Sequence, residues 1–156
     1  MMTGLSLVPG LHGLLALLLL LAAGRDVMSR IIPNGLTLAI AALALPFWAA
    51  AGLAPWPDIA VQIAIGLVAI LVFAIAFALG VMGGGDVKLI GALGLWFSLL
   101  DMMQFLLRMS LLGGVLTMIL WTHSRWRKAS DAIEVPYGVA ISLAALSLLY
   151  QRYFNI

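Results

Sequence analysis

Long apolar stretches with almost nothing between them constrain this sequence more than any other feature. Six hydrophobic segments can be read, about Leu5–Ala23, Leu36–Leu53, Ile59–Leu79, Val87–Leu100, Met103–Trp121 and Tyr137–Tyr150. Several reach the ~20 residues that an α-helix needs to cross a hydrocarbon core of ~30 Å at 1.5 Å per residue. None shows the period-2 alternation of a barrel strand, so the backbone polar groups must be satisfied inside helices. The expected fold class is therefore all-α, a polytopic membrane protein with about six transmembrane helices. Composition agrees: 65% of the 156 residues are hydrophobic and 9% charged, against roughly a quarter charged in soluble domains. The fourth segment is short for a full span, which calls for tilt, local thinning of the bilayer, or extension into the glycines before it.

No Lys or Arg precedes the first segment. A secretory signal peptide needs a basic region there, so an uncleaved first helix with its N-terminus outside is expected. The connections Gly24–Gly35, Gly80–Asp86 (leading to Lys88) and His123–Pro136 would lie on one side of the membrane. With Lys88 they collect Arg25, Arg30, Arg125, Arg127 and Lys128, whereas Ala54–Asp58 has no basic residue and Arg152 stands alone on the other side. The positive-inside rule makes the basic side cytoplasmic and puts both termini outside. One membrane-embedded domain over residues 1–156 is expected, since the connections leave no room for a folded extramembrane unit. The net charge of +2 is too scattered for a phosphate-tracking patch, so no nucleic-acid partner is expected. Tryptophan and methionine read as span filler and interfacial anchors.

Cysteine is absent, which removes disulfides, thiol catalysis and Cys-based zinc sites. His12 and His123 have no partner at metal-ligand spacing, so no metal and no cofactor are expected. The serines lack a Gly-x-Ser-x-Gly context. Of the acids, Asp58, Asp101, Asp131 and Glu134 read as loop solvation. Asp26 and Asp86 differ, because each stands at the inner end of a hydrophobic helix, on the side already assigned to the cytoplasm. Two carboxylates held together cannot both ionise cheaply and share a proton; one then acts as a base on water while the other polarises a carbonyl. Each could equally snorkel to the interface beside Arg25 or Lys88.

Gly83-Gly84-Gly85 before Asp86 frees the backbone for a tight turn and would let an extended substrate approach, or simply supplies a close helix contact. From their own helix ends, Asp86 at an N-terminus is expected to be the ionised base and Asp26 near a C-terminus the protonated acid. Pro33-Asn34 marks a turn before the second segment, and Pro136-Tyr137-Gly138 opens the last one.

Asp26 seven residues before Pro33 in an Ile-Pro-Asn turn, Gly83-Gly84-Gly85-Asp86 followed by Val87-Lys88-Leu89, and Pro136-Tyr137-Gly138 occur here in that order. The ordered set resembles the type IV prepilin peptidases. The resemblance implies a membrane aspartyl endopeptidase in which Asp26 and Asp86 are catalytic, and Gly83, Gly84, Gly85, Lys88, Asn34, Pro136, Tyr137 and Gly138 support them or bind substrate. It implies as substrate a prepilin or pseudopilin precursor, whose short basic leader ends in Gly and precedes a hydrophobic helix. Cleavage would occur at the cytoplasmic face of the bacterial inner membrane, in contact with lipid and with pilus assembly machinery. The first connection lacks the Cys-containing domain of the bifunctional members, so cleavage without methylation is expected, as in the short peptidases of tight-adherence (Flp) pili. Competing readings are a presenilin-like protease, a proton-coupled transporter subunit and a noncatalytic assembly protein.

Overall fold

The computed structural model describes residues 2–127 and 135–154, and among these the structure is helical with no strand. Six α-helices follow one another: α1 Met2–Ser29, α2 Asn34–Ala51, α3 Ala60–Ala78, α4 Gly84–Gly94, α5 Leu99–Arg127 and α6 Tyr137–Phe154. Three stretches are long and apolar enough to cross a membrane, Leu7–Ser29, Pro55–Ala78 and Leu99–His123, and Asn34–Ala50 is a shorter apolar helix. Lys128, Asp131 and Glu134 of the expected inner connection lie outside the described residues.

Of the boundaries that depart from the hydropathy pattern, two bear on the site. The first apolar run fades at Ala23, yet α1 continues to Ser29, because nothing before Pro33 removes a donor from the helical ladder. Ser29 Oγ donates to the Arg25 carbonyl at 2.8 Å and Arg30 N–H to the Asp26 carbonyl at 2.9 Å. Asp26 therefore sits inside the last turn of α1 rather than in the connection after it. The fourth helix is the second departure. It starts earlier than expected, taking Gly84-Gly85-Asp86 into its first turn, and stops at Gly94 after 11 residues, about 17 Å at 1.5 Å per residue. That is short of the ~30 Å hydrocarbon core.

α4 stops early because Ser98 opens a new helix. Ser98 Oγ accepts the Asp101 N–H at 3.2 Å and donates to the Asp101 carboxylate at 2.8 Å, a capping pair that satisfies a donor of the first turn of α5. The same carboxylate takes Arg152 of α6 at 2.8 Å. Asp58 likewise closes its turn by accepting the Ala54 N–H at 3.0 Å. Of these two acids expected to solvate loops, Asp58 thus pins backbone and Asp101 ties the start of α5 to α6.

α4 forms the centre of the packing. Val87, Leu89, Ile90, Gly91, Ala92, Leu93 and Gly94 are all buried, as a helix apolar on every side must be. Against α3 the fit is backbone to backbone: a Cβ on Gly94 would lie 2.6 Å from the Gly66 Cα, and one on Gly91 2.3 Å from Ile70 Cγ1. Against α2, Trp96 Nε1 donates to the Ile40 carbonyl at 2.9 Å and Trp48 Nε1 to the Leu95 carbonyl at 2.8 Å. Both indoles are buried, so these tryptophans serve as interior donors rather than interfacial anchors.

Candidate active site

Asp26 and Asp86 come together. A cavity of about 480 Å³ is lined by Asp26 and Arg30 at the end of α1, Gly80, Val81, Met82 and Gly83 of the α3–α4 connection, Asp86 of α4, and Val135 and Tyr137 at the entrance to α6. Both carboxylates are buried, with 5% and 8% of the residue exposed. Asp86 is fixed by its own helix start: its Oδ2 accepts the Gly83 N–H at 3.2 Å. Burial, first, and the neighbouring Asp26 charge push the Asp86 carboxyl up to about 6, against the opposing effect of the Gly83 hydrogen bond. Carboxylates that feel each other in this way are the condition for sharing a proton.

Asp26 is approached from α6. A Cβ on Gly138 would stand 2.9 Å from both Cγ and Oδ2 of Asp26, so glycine is what lets the first turn of α6 press on the carboxylate. The backbone N–H groups of Gly138 and Val139 are directed at it, and a helix N-terminus carries partial positive charge. Oδ2 itself is buried without a hydrogen-bond partner of ordinary length and angle. The amides thus act on Asp26 as dipoles that oppose the cost of burying its charge.

The remaining residues singled out in the sequence divide. Gly83, Tyr137 and Gly138 belong to the site. Gly84 and Gly85 do not line the cavity; added Cβ atoms would lie 3.3 Å from the Phe77 ring and 3.1 Å from Ile32 Cβ, so these glycines seat α4 on its neighbours. Lys88 Nζ donates to Asn34 Oδ1 at 2.9 Å. That pair edges a separate apolar groove between α2, α3 and α4, and Lys88 is about 200° around α4 from Asp86 at 100° per residue. Pro136 is buried just ahead of α6. One residue not anticipated as part of the site is Arg30, whose position four residues after Asp26 places it one helical turn on.

Size alone would mislead: a cavity of about 840 Å³ between α1 and α6 is lined by no carboxylate. His12 is buried and its Nδ1 pairs with the Tyr153 hydroxyl at 2.6 Å. No group of three or more His, Asp or Glu among the described residues could hold a metal ion.

Residues 13–118 match the type IV leader peptidase family, a stretch that includes Asp26, the three glycines and Asp86. The chain belongs to the type IV leader peptidase family. It is thus a membrane peptidase of the prepilin-processing kind, with helices able to span a bilayer. The entrance to α6, which supplies the dipoles around Asp26, lies beyond the stretch matched to this leader peptidase family. No curated protein and no solved structure was matched.

Proposed function

We propose that this leader peptidase is an aspartyl endopeptidase in which Asp26 and Asp86 hydrolyse the peptide bond after the leader of a prepilin-like precursor. The observation that carries the reading is the pair of buried carboxylates from α1 and α4 facing one cavity. The shared proton is placed on Asp86, which burial and the Asp26 charge push up to about 6; burial disfavours charge on Asp26 as well, and the amides of α6 and, less, the Arg30 cation oppose that cost. This assignment is the reverse of the roles expected from the ends of α1 and α4, and it rests on the α6 N-terminus, which neither of those helices contains.

In the proposed cycle Asp26 takes a proton from a water as its oxygen attacks the scissile carbonyl carbon, and Asp86 gives its proton to the carbonyl oxygen. The tetrahedral diol then collapses: the C–N bond breaks, Asp26 returns its proton to the departing amine, and a hydroxyl proton goes back to Asp86. The family resemblance supports a precursor with a short basic leader ending in Gly followed by an apolar helix, cut at the cytoplasmic face of the inner membrane. The connection between α1 and α2, Arg30–Pro33, carries no methyl-transfer machinery, which supports cleavage without methylation and the tight-adherence (Flp) subtype.

Leader removal from a co-expressed prepilin tests this, with wild type, Asp26→Asn and Asp86→Asn compared at matched membrane expression by gel shift and N-terminal mass. Cleavage after Gly that is lost in both variants, with an unmethylated product, is expected. Processing that survives either substitution would refute the dyad.

A further inference from the structure

Arg30 is the only described residue other than glycine with a positive φ, 54°. It stands just past α1, with its N–H on the Asp26 carbonyl at 2.9 Å. That is the left-handed position at which helices commonly end, and glycine is the ordinary occupant because a Cβ is disfavoured there. An arginine kept in this conformation points to a use for its side chain. The use is visible in where the residue lies: Arg30 lines the cavity shared by Asp26 and Asp86. Its charge also acts on Asp26.

We propose that Arg30 is a positioning residue of the peptidase site, the left-handed turn after α1 delivering its guanidinium to the cavity so that Asp26 remains the anion that activates water. This rests on the Asp26–Asp86 reading above. A cation within a few ångströms of one carboxylate of a coupled pair stabilises the anion there and sends the shared proton to the other. The charged or titratable groups facing Asp26 are Arg30 on its own element, Asp86 from α4 and Tyr137 from α6, together with the amide dipoles of α6; residues 128–134 lie outside the described residues. Arg30 is the cation of that set. Both arginines are exposed, but Arg25, which precedes Asp26 directly, does not line the cavity, so two arginines close in sequence are predicted to behave differently.

The test uses the full-length protein reconstituted in proteoliposomes, with a leader-bearing precursor peptide as substrate and kcat and KM followed from pH 5 to 9. Arg30→Gly suits the left-handed turn better than arginine does, so thermal unfolding is expected at or above the wild-type temperature. The same variant is expected to lose at least tenfold in kcat with KM within about threefold, and the acid limb of its kcat profile should move to higher pH as the anion loses its cation. Arg30→Lys should restore part of the rate and the original limb; Arg25→Gln should match wild type. Wild-type kcat and an unmoved limb in Arg30→Gly would overturn the proposal. So would a lysine variant as slow as the glycine one, because a cation alone should suffice. If Asp26→Asn or Asp86→Asn remains active in the same assay, the dyad itself is wrong; if both are dead while Arg30→Gly is normal, only the role of Arg30 fails.

Discussion

Replacing Gly138 by Ala adds a single methyl group, and its consequence can be worked from the contacts. The new Cβ would lie 2.9 Å from Cγ and Oδ2 of Asp26 and 2.9 Å from Ile32 Cδ1, roughly 0.6–1.1 Å inside the 3.5–4.0 Å optimum for carbon contacts. Ile32 can yield by turning its terminal methyl. The Asp26 carboxyl has less room, being buried between α1 and α6. Overpacking of this kind costs about 1–3 kcal/mol, and relief comes either by parting α6 from α1 or by rotating the carboxylate away from Asp86. A misplacement of ~1 Å at reacting groups can cost about a hundredfold, so even partial relief of this overlap by the carboxylate sets an expectation of about tenfold or more in kcat. Purified Gly138→Ala in proteoliposomes, assayed for leader removal and thermal unfolding, gives both numbers. Gly114→Ala is the matched control, since a Cβ there meets nothing within 4 Å. Wild-type turnover in Gly138→Ala with an unchanged unfolding temperature would refute the claim that α6 presses on the dyad.

Gly94→Ala should destabilise by about 1–2 kcal/mol, the overpacking against the Gly66 backbone at 2.6 and 2.8 Å outweighing the ~1 kcal/mol that Ala ordinarily gains over Gly in a helix; denaturant or thermal unfolding checks it. The pH dependence of stability should carry the signature of Asp86. Its carboxyl is raised from 3.8 to about 6 on folding, so the folded state binds the extra proton and stability falls as pH rises from about 4 to about 6. Asp86→Asn, which stays neutral, should therefore unfold at a higher temperature than wild type at pH 7 and at the same temperature near pH 4; an equal gap at both pH values would contradict the burial cost assigned to Asp86.

The helical class and the pairing of Asp26 with Asp86 were legible because both rest on coarse physics. Apolar runs long enough to span a bilayer have few alternatives, and two acids at the same side of alternating helices must share an end of the bundle. What escaped depends on tertiary approach. Hydropathy cannot see that α1 outlives its apolar run, because Gly24-Arg25-Asp26 lacks a breaker even though it is polar. Ser98 and Asp101 carry the spacing of a capping box, but Leu99-Leu100 between them reads as more of the fourth apolar run. The buried indoles of Trp48 and Trp96 look like any interfacial tryptophan until the carbonyls of Leu95 and Ile40 are in place. Arg30 was hidden for a different reason: in sequence it is one more basic residue on the cytoplasmic side, and only its left-handed backbone and its place on the cavity wall distinguish it.

The approach of α6 to Asp26 also has a consequence for biogenesis. Asp26 enters the membrane with the first helix, Asp86 arrives sixty positions later, and Gly138 only with the last helix described. A nascent chain that has inserted both acids still lacks the amides that α6 directs at Asp26. Under the proposed mechanism, hydrolytic competence would be acquired at a late step of insertion, when α6 docks, and chains stalled before that point would hold the two acids without the α6 amides.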